Sequence, residues 1–346
     1  YIHDENERKA YSKYPIGIKI DKEKPTDFHI EYKGAVWFKK VGEVISLGVA
    51  KTGLKVILTA TDELSGVKEF KWWFAADGGT NGLKYKVKEA GGENVPVTEA
   101  EAISAINQNE SQRSFTYEFE LIGDSTILYE LKQYQYKGAI KATVSDRAGN
   151  IKSEYDKLTV YTTDSNAEGD NDTNVVIDQI SPVISDVVVP NAVNTVEKTK
   201  TDYYKSDVTV SFKLTEANIE SDDVVLTVKK DGKTIAPTIT WDNTPEAGKT
   251  VDTTYTGSFT LSGDGKYTFA IDATDKAGNS AKRYEHSNTI VIDTTPAKVA
   301  LTFKVTDTEG QTRDGKQYTK GNVEYTVTVE DNFFKEDGVT VTGTID

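Results

Sequence analysis

The feature that most constrains this chain is that it repeats itself. A β-branched run closed by Asp and followed by Pro occurs three times: Ile18-Lys19-Ile20-Asp21 with Pro25, Val176-Ile177-Asp178 with Pro182, and Val291-Ile292-Asp293 with Pro296. Asp178 and Asp293 are 115 positions apart. Leu214-Thr215-Glu216-Ala217-Asn218-Ile219 matches Thr328-Val329-Glu330-Asp331-Asn332-Phe333, with Asn218 and Asn332 separated by 114. Two independent markers thus agree on one structural unit, and self-similarity at such a period decides the architecture before any single motif does. The interval from Asp21 to Asp178 is 157, so the first complete unit carries roughly 40 extra residues.

Boundaries follow from the same markers. Residues 1–25 are expected to be the last strand and linker of an upstream unit, and 26–182 an enlarged unit with its insertion near 77–113. Residues 183–296 are expected to form a minimal unit, and 297–346 the first strands of a further, incomplete one. The chain opens on Tyr1 and stops at Asp346 inside that third unit, so an internal piece of something longer is expected. Each Asp–Pro end reads as a last strand whose continuation Pro blocks and stiffens into a short linker.

Within a unit the pattern is that of strands. Val208-Thr209-Val210-Ser211-Phe212-Lys213-Leu214 alternates with period two, as does Val323-Glu324-Tyr325-Thr326-Val327-Thr328-Val329, which marks one buried and one wet face. Turn signals such as Asp231-Gly232, Ser262-Gly263-Asp264-Gly265 and Asp314-Gly315 separate them. About seven strands per unit is the arithmetic of a two-sheet antiparallel sandwich, so the predicted class is all-β, with tandem sandwiches. The insertion is the exception. In Thr98-Glu99-Ala100-Glu101-Ala102-Ile103-Ser104-Ala105-Ile106, Thr98 and Glu101 have capping-box spacing, and Ala102, Ile103 and Ile106 predict the apolar stripe of a helix.

A second recurring pattern is Asp-x-Ala-Gly-Asn, at Asp146-Arg147-Ala148-Gly149-Asn150 and Asp275-Lys276-Ala277-Gly278-Asn279, each after an alternating strand. Gly149 and Gly278 supply φ > 0, while Asp146, Asn150, Asp275 and Asn279 bond nearby backbone, so the pattern reads as a tight structural turn. This turn, followed by Ile/Val-x-Ile-Asp-x-x-Pro, resembles the end of the bacterial Ig-like repeats of large Gram-positive cell-surface and secreted proteins. Asp62-Glu63-Leu64-Ser65-Gly66-Val67 is similar to the "D-x-x-S-G-V" early-strand pattern of the same repeats, and Glu216-Ala217-Asn218 and Glu330-Asp331-Asn332 replace its Ser-Gly turn. The resemblance touches every unit and implies tandem Ig-like sandwiches, an extracellular, wall-attached or secreted location, and a role in adhesion or as a spacer. The family also supplies spacers to secreted glycosidases, so the resemblance does not choose among roles.

Composition narrows the chemistry. The 346 residues include 55 Asp+Glu against 41 Lys+Arg, a formal charge of −14, which argues against nucleic acid and anionic membranes. With no Cys there is no disulfide, thiolate nucleophile or Cys-ligated metal. His3, His29 and His286 have no nucleophile at a recognisable spacing, and Glu118 and Glu120 on one strand face are weak evidence for glycoside chemistry. The expectation is therefore a protein that is not an enzyme.

Three features could carry binding. The insertion is one, including Thr98, Glu101 and Ile103; the competing reading is that it covers a sheet edge. In Phe70-Lys71-Trp72-Trp73-Phe74, alternation sends Phe70, Trp72 and Phe74 inward and Trp73 outward with Lys71 and Glu69, where Trp73 either meets a partner or sugar ring or packs under a local loop. The third is calcium. Asp164-Ser165-Asn166-Ala167-Glu168-Gly169 begins like a calcium loop, with Asp164, Asn166 and Glu168 as oxygen ligands, but its twelfth position is Val175 rather than Glu, and a solvated polar loop is the competing reading. Asp21, Asp178 and Asp293 lie at the junctions, where calcium would stiffen linkers. The leading functional expectation is a non-catalytic adhesin-type fragment, an Ig-like rod presenting a surface to a host extracellular protein, immunoglobulin or matrix. The alternatives are a carbohydrate-binding accessory module and a passive stalk spacer.

Overall fold

The computed structural model describes residues 19–41, 44–51, 53–76, 83–87, 92–98, 102–123, 138–153, 157–162, 166–249, 252–305, 311–320, 322–333, 340 and 342. It is all-β, with several sheets and only single-turn 3₁₀ segments besides strands among those residues. Strand partners change at residues 178–182 and again at 293–297: among the described residues no ladder crosses either stretch.

The middle region shows most directly how the pattern becomes structure. Its strands are β14 (Val183–Val188), β15 (Asn194–Val196), β16 (Thr201–Tyr204), β17 (Val208–Glu216), β18 (Val224–Lys230) and β19 (Lys233–Ile235). They continue with β20 (Thr240–Trp241), β21 (Thr253–Leu261), β22 (Gly265–Ala273), β23 (Tyr284–Glu285) and β24 (Thr289–Ile292). One sheet runs β14-β17-β21-β20; the other runs β15-β16-β24-β22-β18-β19, with β23 on β22. Val208, Val210, Phe212 and Leu214 of β17 are buried while Thr209 and Lys213 between them are exposed, the alternation the sequence predicts. Residues from both sheets share one core: Phe212, Tyr255 and Phe259 from the first, Tyr267, Phe269, Ile271, Ile290 and Ile292 from the second. Phe259 meets Phe269 edge-on across it at 5.2 Å. Gly257 is required here, because a Cβ would lie 2.6 Å from the Phe212 ring. The space it leaves lets Phe212 and Trp241 approach to 5.4 Å.

The first region is built from β1 (Thr26–Ala35), β2 (Trp37–Val41), β3 (Val44–Ala50), β4 (Gly53–Thr61), β5 (Val67–Ala76), β6 (Leu83–Val87) and β7 (Asn94–Pro96). It is completed by β8 (Ile103–Ile106), β9 (Ser114–Gly123), β10 (Gly138–Asp146), β11 (Ile151–Lys152), β12 (Lys157–Thr162) and β13 (Asn166–Ile177). They form one hydrogen-bonded path, β7-β6-β9-β4-β1-β12-β13-β10-β5-β8, with β11 on β10, β3 on β13 and β2 on β3. Its pairings match those of the middle region: β4–β9 corresponds to β17–β21, β5–β10 to β18–β22, and the parallel pair β3–β13 to β16–β24. The aromatic core stacks Trp72 on Phe119 at 3.9 Å and sets both edge-on to Tyr85.

The expected helix in the insertion does not form. Ile103–Ile106 is strand β8, paired antiparallel with β5 (Trp72↔Ile103, Phe70↔Ala105), and Glu101 lies outside the described residues. The residues alternate, with Ala105 buried and Ile106 52% exposed, so the stripe of Ala102, Ile103 and Ile106 is not one face of anything. A segment this short gains more from the unpaired edge of β5 than from one or two helical turns. Two further inserted strands, β6 and β7, extend the opposite end of the path beyond β9.

The last region contributes β25 (Lys298–Val305), β26 (Gln311–Arg313), β27 (Lys316–Tyr318) and β28 (Val323–Glu330). β25 pairs antiparallel with β28, leaving Val299, Leu301 and Phe303 more than half exposed. No helix among the described residues is long and apolar enough to cross a membrane.

Candidate functional site

The candidate site lies where one region hands over to the next, and it occurs twice. Each copy draws one carboxylate from three separated places in the chain. The first is the Asp five positions ahead of a region's first strand, Asp21 before β1 or Asp178 before β14, the latter directly after β13. The second is the carboxylate that ends the core-facing row of an early strand. Along β17 the buried row Val208, Val210, Phe212, Leu214 continues to Glu216, and along β4 the row Leu54, Val56, Leu58, Ala60 continues to Asp62 just past the strand. The third is the first residue of the Asp-x-Ala-Gly-Asn turn, Asp146 or Asp275. Ligand oxygens of Asp21, Asp62 and Asp146 lie within 4.8 Å of one another, and so do those of Asp178, Glu216 and Asp275.

The turns position the third carboxylate and grip the first. In the second copy, the Asn279 N–H donates to Asp275 Oδ1 (2.8 Å), and Asn279 Nδ2 donates to Asp275 Oδ2 (2.9 Å) and to the Asp178 carbonyl (3.1 Å). The first copy repeats this: the Asn150 N–H to Asp146 Oδ1 (2.8 Å), Asn150 Nδ2 to Asp146 Oδ2 (2.7 Å) and to the Asp21 carbonyl (3.3 Å). Gly149 and Gly278 sit at φ 96° and 84°, the left-handed geometry that closes the turn. The motif is therefore a clasp that reaches back to the Asp ahead of the region's first strand as well as a turn.

The two copies differ in what surrounds the charges. Asp62 Oδ1 accepts from the Ser65 N–H (2.8 Å), Ser65 Oγ (3.3 Å) and the Gly66 N–H (2.6 Å), and the Ser65 N–H also donates to Asp21 Oδ2 (3.0 Å). Hydrogen bonds from Ser65, its side chain first, hold the Asp21 carboxyl below the usual range. The second copy is drier. Asp178, Glu216 and Asp275 are all buried, and no Lys or Arg is paired with any of them among the described residues. Burial raises Asp178, the Asp275 charge raises it further, and the Asn218 hydrogen bond (2.7 Å to Oδ2) opposes both. Burial and then Asp178 raise Glu216, against donation from the Ala217 and Asn218 N–H groups to Oε1. Burial pushes Asp275 up to about 6, and Asp252 beside the cluster also to about 6.

Several buried carboxylates without a basic partner must share protons or a bound cation, because isolated buried charges are costly. All the side chains offer oxygen, the donor set of calcium or magnesium. Asp252 Oδ1 is buried with no hydrogen-bond partner among the described residues, an oxygen ligand that such an ion would satisfy. The donor set therefore fits a hard divalent cation held by Asp178, Glu216 and Asp275, with the Asp252 charge acting on Asp178. A third copy begins at Asp293, whose carboxyl is raised by burial, with the Asp331 charge adding, against the hydrogen bond from the Thr295 N–H. The Phe333 N–H donates to Asp331 Oδ1 at 2.7 Å, as the Asn218 N–H does to Glu216, and Asp331 lies 115 positions after Glu216. Strand register therefore pairs Asp331, rather than Glu330, with Glu216.

The other sequence candidates fall as follows. Asn166 and Glu168 lie within strand β13 (Tyr161↔Asn166, Thr159↔Glu168), so they do not form a calcium loop, and Asp164 is outside the described residues. Phe70, Trp72 and Phe74 are buried; Trp73 is half-buried on the other face of β5 and Lys71 is exposed. Glu69 on that face accepts from Ser104 Oγ at 2.6 Å. Ile103 packs against the core, and Thr98 follows β7 outside any strand. Glu118 pairs with Lys55 at 2.7 Å. The convergence of Asp62 and Glu216 on the junction was missed by sequence reasoning; the signal was an acid one position past the core row in every unit, Asp62, Glu216 and Asp331. No family model matches this chain, and no curated protein matches it either.

Proposed function

We propose that the chain is a non-catalytic rod segment of an extracellular bacterial adhesin-type protein, made of tandem Ig-like β-sandwiches whose junctions are stiffened by divalent cations. The observation that carries this reading is the repeated junction: the same three carboxylates, delivered by the same clasp, recur at both hand-overs. A catalytic site would need only one such cluster, whereas a stiffener is needed at every joint. The pairings β14-β17-β21-β20 and β16-β24-β22-β18, with the start of the unit divided between two sheets that share one core, support the Ig-like reading. The acidic balance and the absence of Cys fit an exported protein working where millimolar calcium is present.

In this reading the enlarged first unit presents the binding surface for a host extracellular protein, on the outer face of β5 with Trp73, Lys71 and Glu69. The inserted strands lengthen the sheets on which that face lies. The experiment is small-angle scattering of the whole chain in calcium and in chelator. A rod stiffened at its joints gives a longer, narrower distance distribution in calcium; profiles that coincide under both conditions contradict cation stiffening. Capture of extracellular matrix or immunoglobulin that is lost in Trp73→Ala tests the surface separately.

A further inference from the structure

The second hand-over has a further fastening beside its carboxylates. Val49 and Val176 are fully buried, although each alternates with residues of the first region's own core, Ala50 and Val175 with Ile177. Their side chains point away from that core, and strand register places them in one row, Trp37↔Val49↔Val176. What covers the row comes from the other region: Ala277, 2% exposed, packs on Val49, Val176 and Trp37. On one side of it the Lys276 ammonium lies 5.2 Å from the Trp37 ring centroid while it pairs with Glu220 (2.9 Å) and Asp223 (3.0 Å) of its own region. On the other side, Lys51 Nζ donates to the Gly278 carbonyl at 3.0 Å.

The row is not a generic feature of these units. The positions corresponding to Trp37, Val49 and Val176 at the exit of the second region are Asn194, Tyr203 and Val291, paired in the same way. Among the described residues the other Asp-x-Ala-Gly-Asn turn has no such cover, and Ala148 and Gly149 are exposed. Two β-branched residues buried on an outward-facing row, under a methyl group from another unit, are what an interface core looks like in miniature.

We propose that the row Trp37–Val49–Val176 is a socket for the Lys276-Ala277-Gly278 tip, and that this contact holds the orientation of the second unit on the first whether or not the neighbouring carboxylates are charged or hold a cation. It rests on the rod reading above and deepens it: the joint is fastened twice, once by oxygen ligands and once by apolar contact and a cation–π pair. Removing the cation then leaves this joint oriented, whereas a joint with the carboxylates alone becomes free to swing, the default for domains sharing little apolar surface.

The test uses the full chain, whose lack of native Cys allows two spin labels to be placed without background, at Lys68→Cys on the first unit and Lys229→Cys on the second. Inter-label distance distributions are recorded in calcium and in chelator for the parent, for Trp37→Ala and for Ala277→Gln. The second substitution enlarges the tip from the other side of the joint and serves if Trp37→Ala disturbs β2. The expected result is a narrow parent distribution in both media, and about a twofold or greater broadening of either variant in chelator, with recovery in calcium. A parent that broadens in chelator as much as the variants, or variants that stay as narrow as the parent, overturns the socket. A parent that is broad even in calcium overturns the rod reading itself.

Discussion

The two hand-overs use the same three positions and the same clasp, yet they treat their charges in opposite ways. At the first, Asp62 is met by three donors from Ser65 and Gly66, and Asp21 is held below the ordinary carboxylate range. At the second, Glu216 ends a fully buried row, and Asp178, Glu216 and Asp275 are all pushed upward, mainly by burial. The cover differs as well: Ala277 is buried under Trp37, Val49 and Val176, while Ala148 is exposed. Equivalent ligands in a repeat therefore do not imply equivalent electrostatics. What decides is how many backbone N–H groups reach the carboxylates and how much of the neighbouring unit excludes water.

The largest contrast is expected at the clasp. Asn279→Ala removes the hydrogen bonds of a buried amide and leaves Asp275 Oδ2 and the Asp178 carbonyl without their donor, at a cost of about 2–3 kcal/mol by denaturant unfolding. Asn150→Ala removes the same bonds at a half-buried position, where water substitutes, and is expected to cost about 1 kcal/mol. Equal costs would remove the distinction between a dry and a wet joint.

Next come two substitutions predicted to act in opposite directions in chelator at neutral pH. Glu216→Gln keeps an acceptor for the Ala217 and Asn218 N–H groups and removes the cost of burying a carboxyl that must stay protonated, so it raises the melting temperature of the cation-free chain. Asp62→Asn weakens three charge-assisted hydrogen bonds and lowers it, by about 1–2 kcal/mol in stability. Thermal unfolding of both in chelator decides; a loss from Glu216→Gln equal to that from Asp62→Asn would mean that its charge is already compensated.

The pH dependence has a definite sign. Asp275 and Asp252 have folded values of about 6, above the roughly 3.9 of an unfolded Asp. Their protonated forms therefore favour the folded state. That contribution is fully present below about 4 and is lost as pH rises through about 6, with Asp178 and Glu216 carrying the loss further upward. The cation-free second joint should thus weaken between pH 5 and pH 8, while Asp21, shifted the other way, gives the first joint no such loss in that range. A melting temperature independent of pH between 5 and 8 in chelator would contradict the burial-driven shifts. Calcium competes with protons for these groups, so its stabilising effect should grow over the same interval.

The smallest contrast is at the glycines. Gly149→Ala and Gly278→Ala each force φ near +90° on a residue with a Cβ that would meet nothing within 4 Å, so each should cost about 1–2 kcal/mol and the two should agree. A larger cost at Gly278 alone would show that its carbonyl contact with Lys51 depends on the turn's geometry.

The strands and the repeat were legible in the sequence because period-two alternation is a local signal, and because Asp and Pro mark where each run must stop. The inserted helix misled because Thr98 and Glu101 imitate a cap while the free edge of β5, a long-range feature, decided the outcome at Ile103–Ile106. Calcium is read in the sequence both on a contiguous acidic run, Asp164–Glu168, and at the junction aspartates Asp21, Asp178 and Asp293, of which Asp21 and Asp178 belong to the observed clusters. The structure gathers carboxylates from positions as far apart as Asp178 and Asp275. Such a set is written only in the repeat, as an acid recurring one step past each core row. The Trp37 socket had no local signal, since a Trp beside Val looks the same whether it faces its own core or a neighbour.

The central claim is that the buried carboxylates at the hand-overs bind a divalent cation, and calorimetric titration of calcium into the chelator-stripped chain at pH 7.5 tests it most directly. The account predicts saturable binding, with dissociation constants of about 10⁻⁴–10⁻³ M as is usual for extracellular modules, that diminishes when Asp178→Asn and Asp275→Asn are combined. No saturable heat, or heat that the double substitution leaves unchanged, would contradict it.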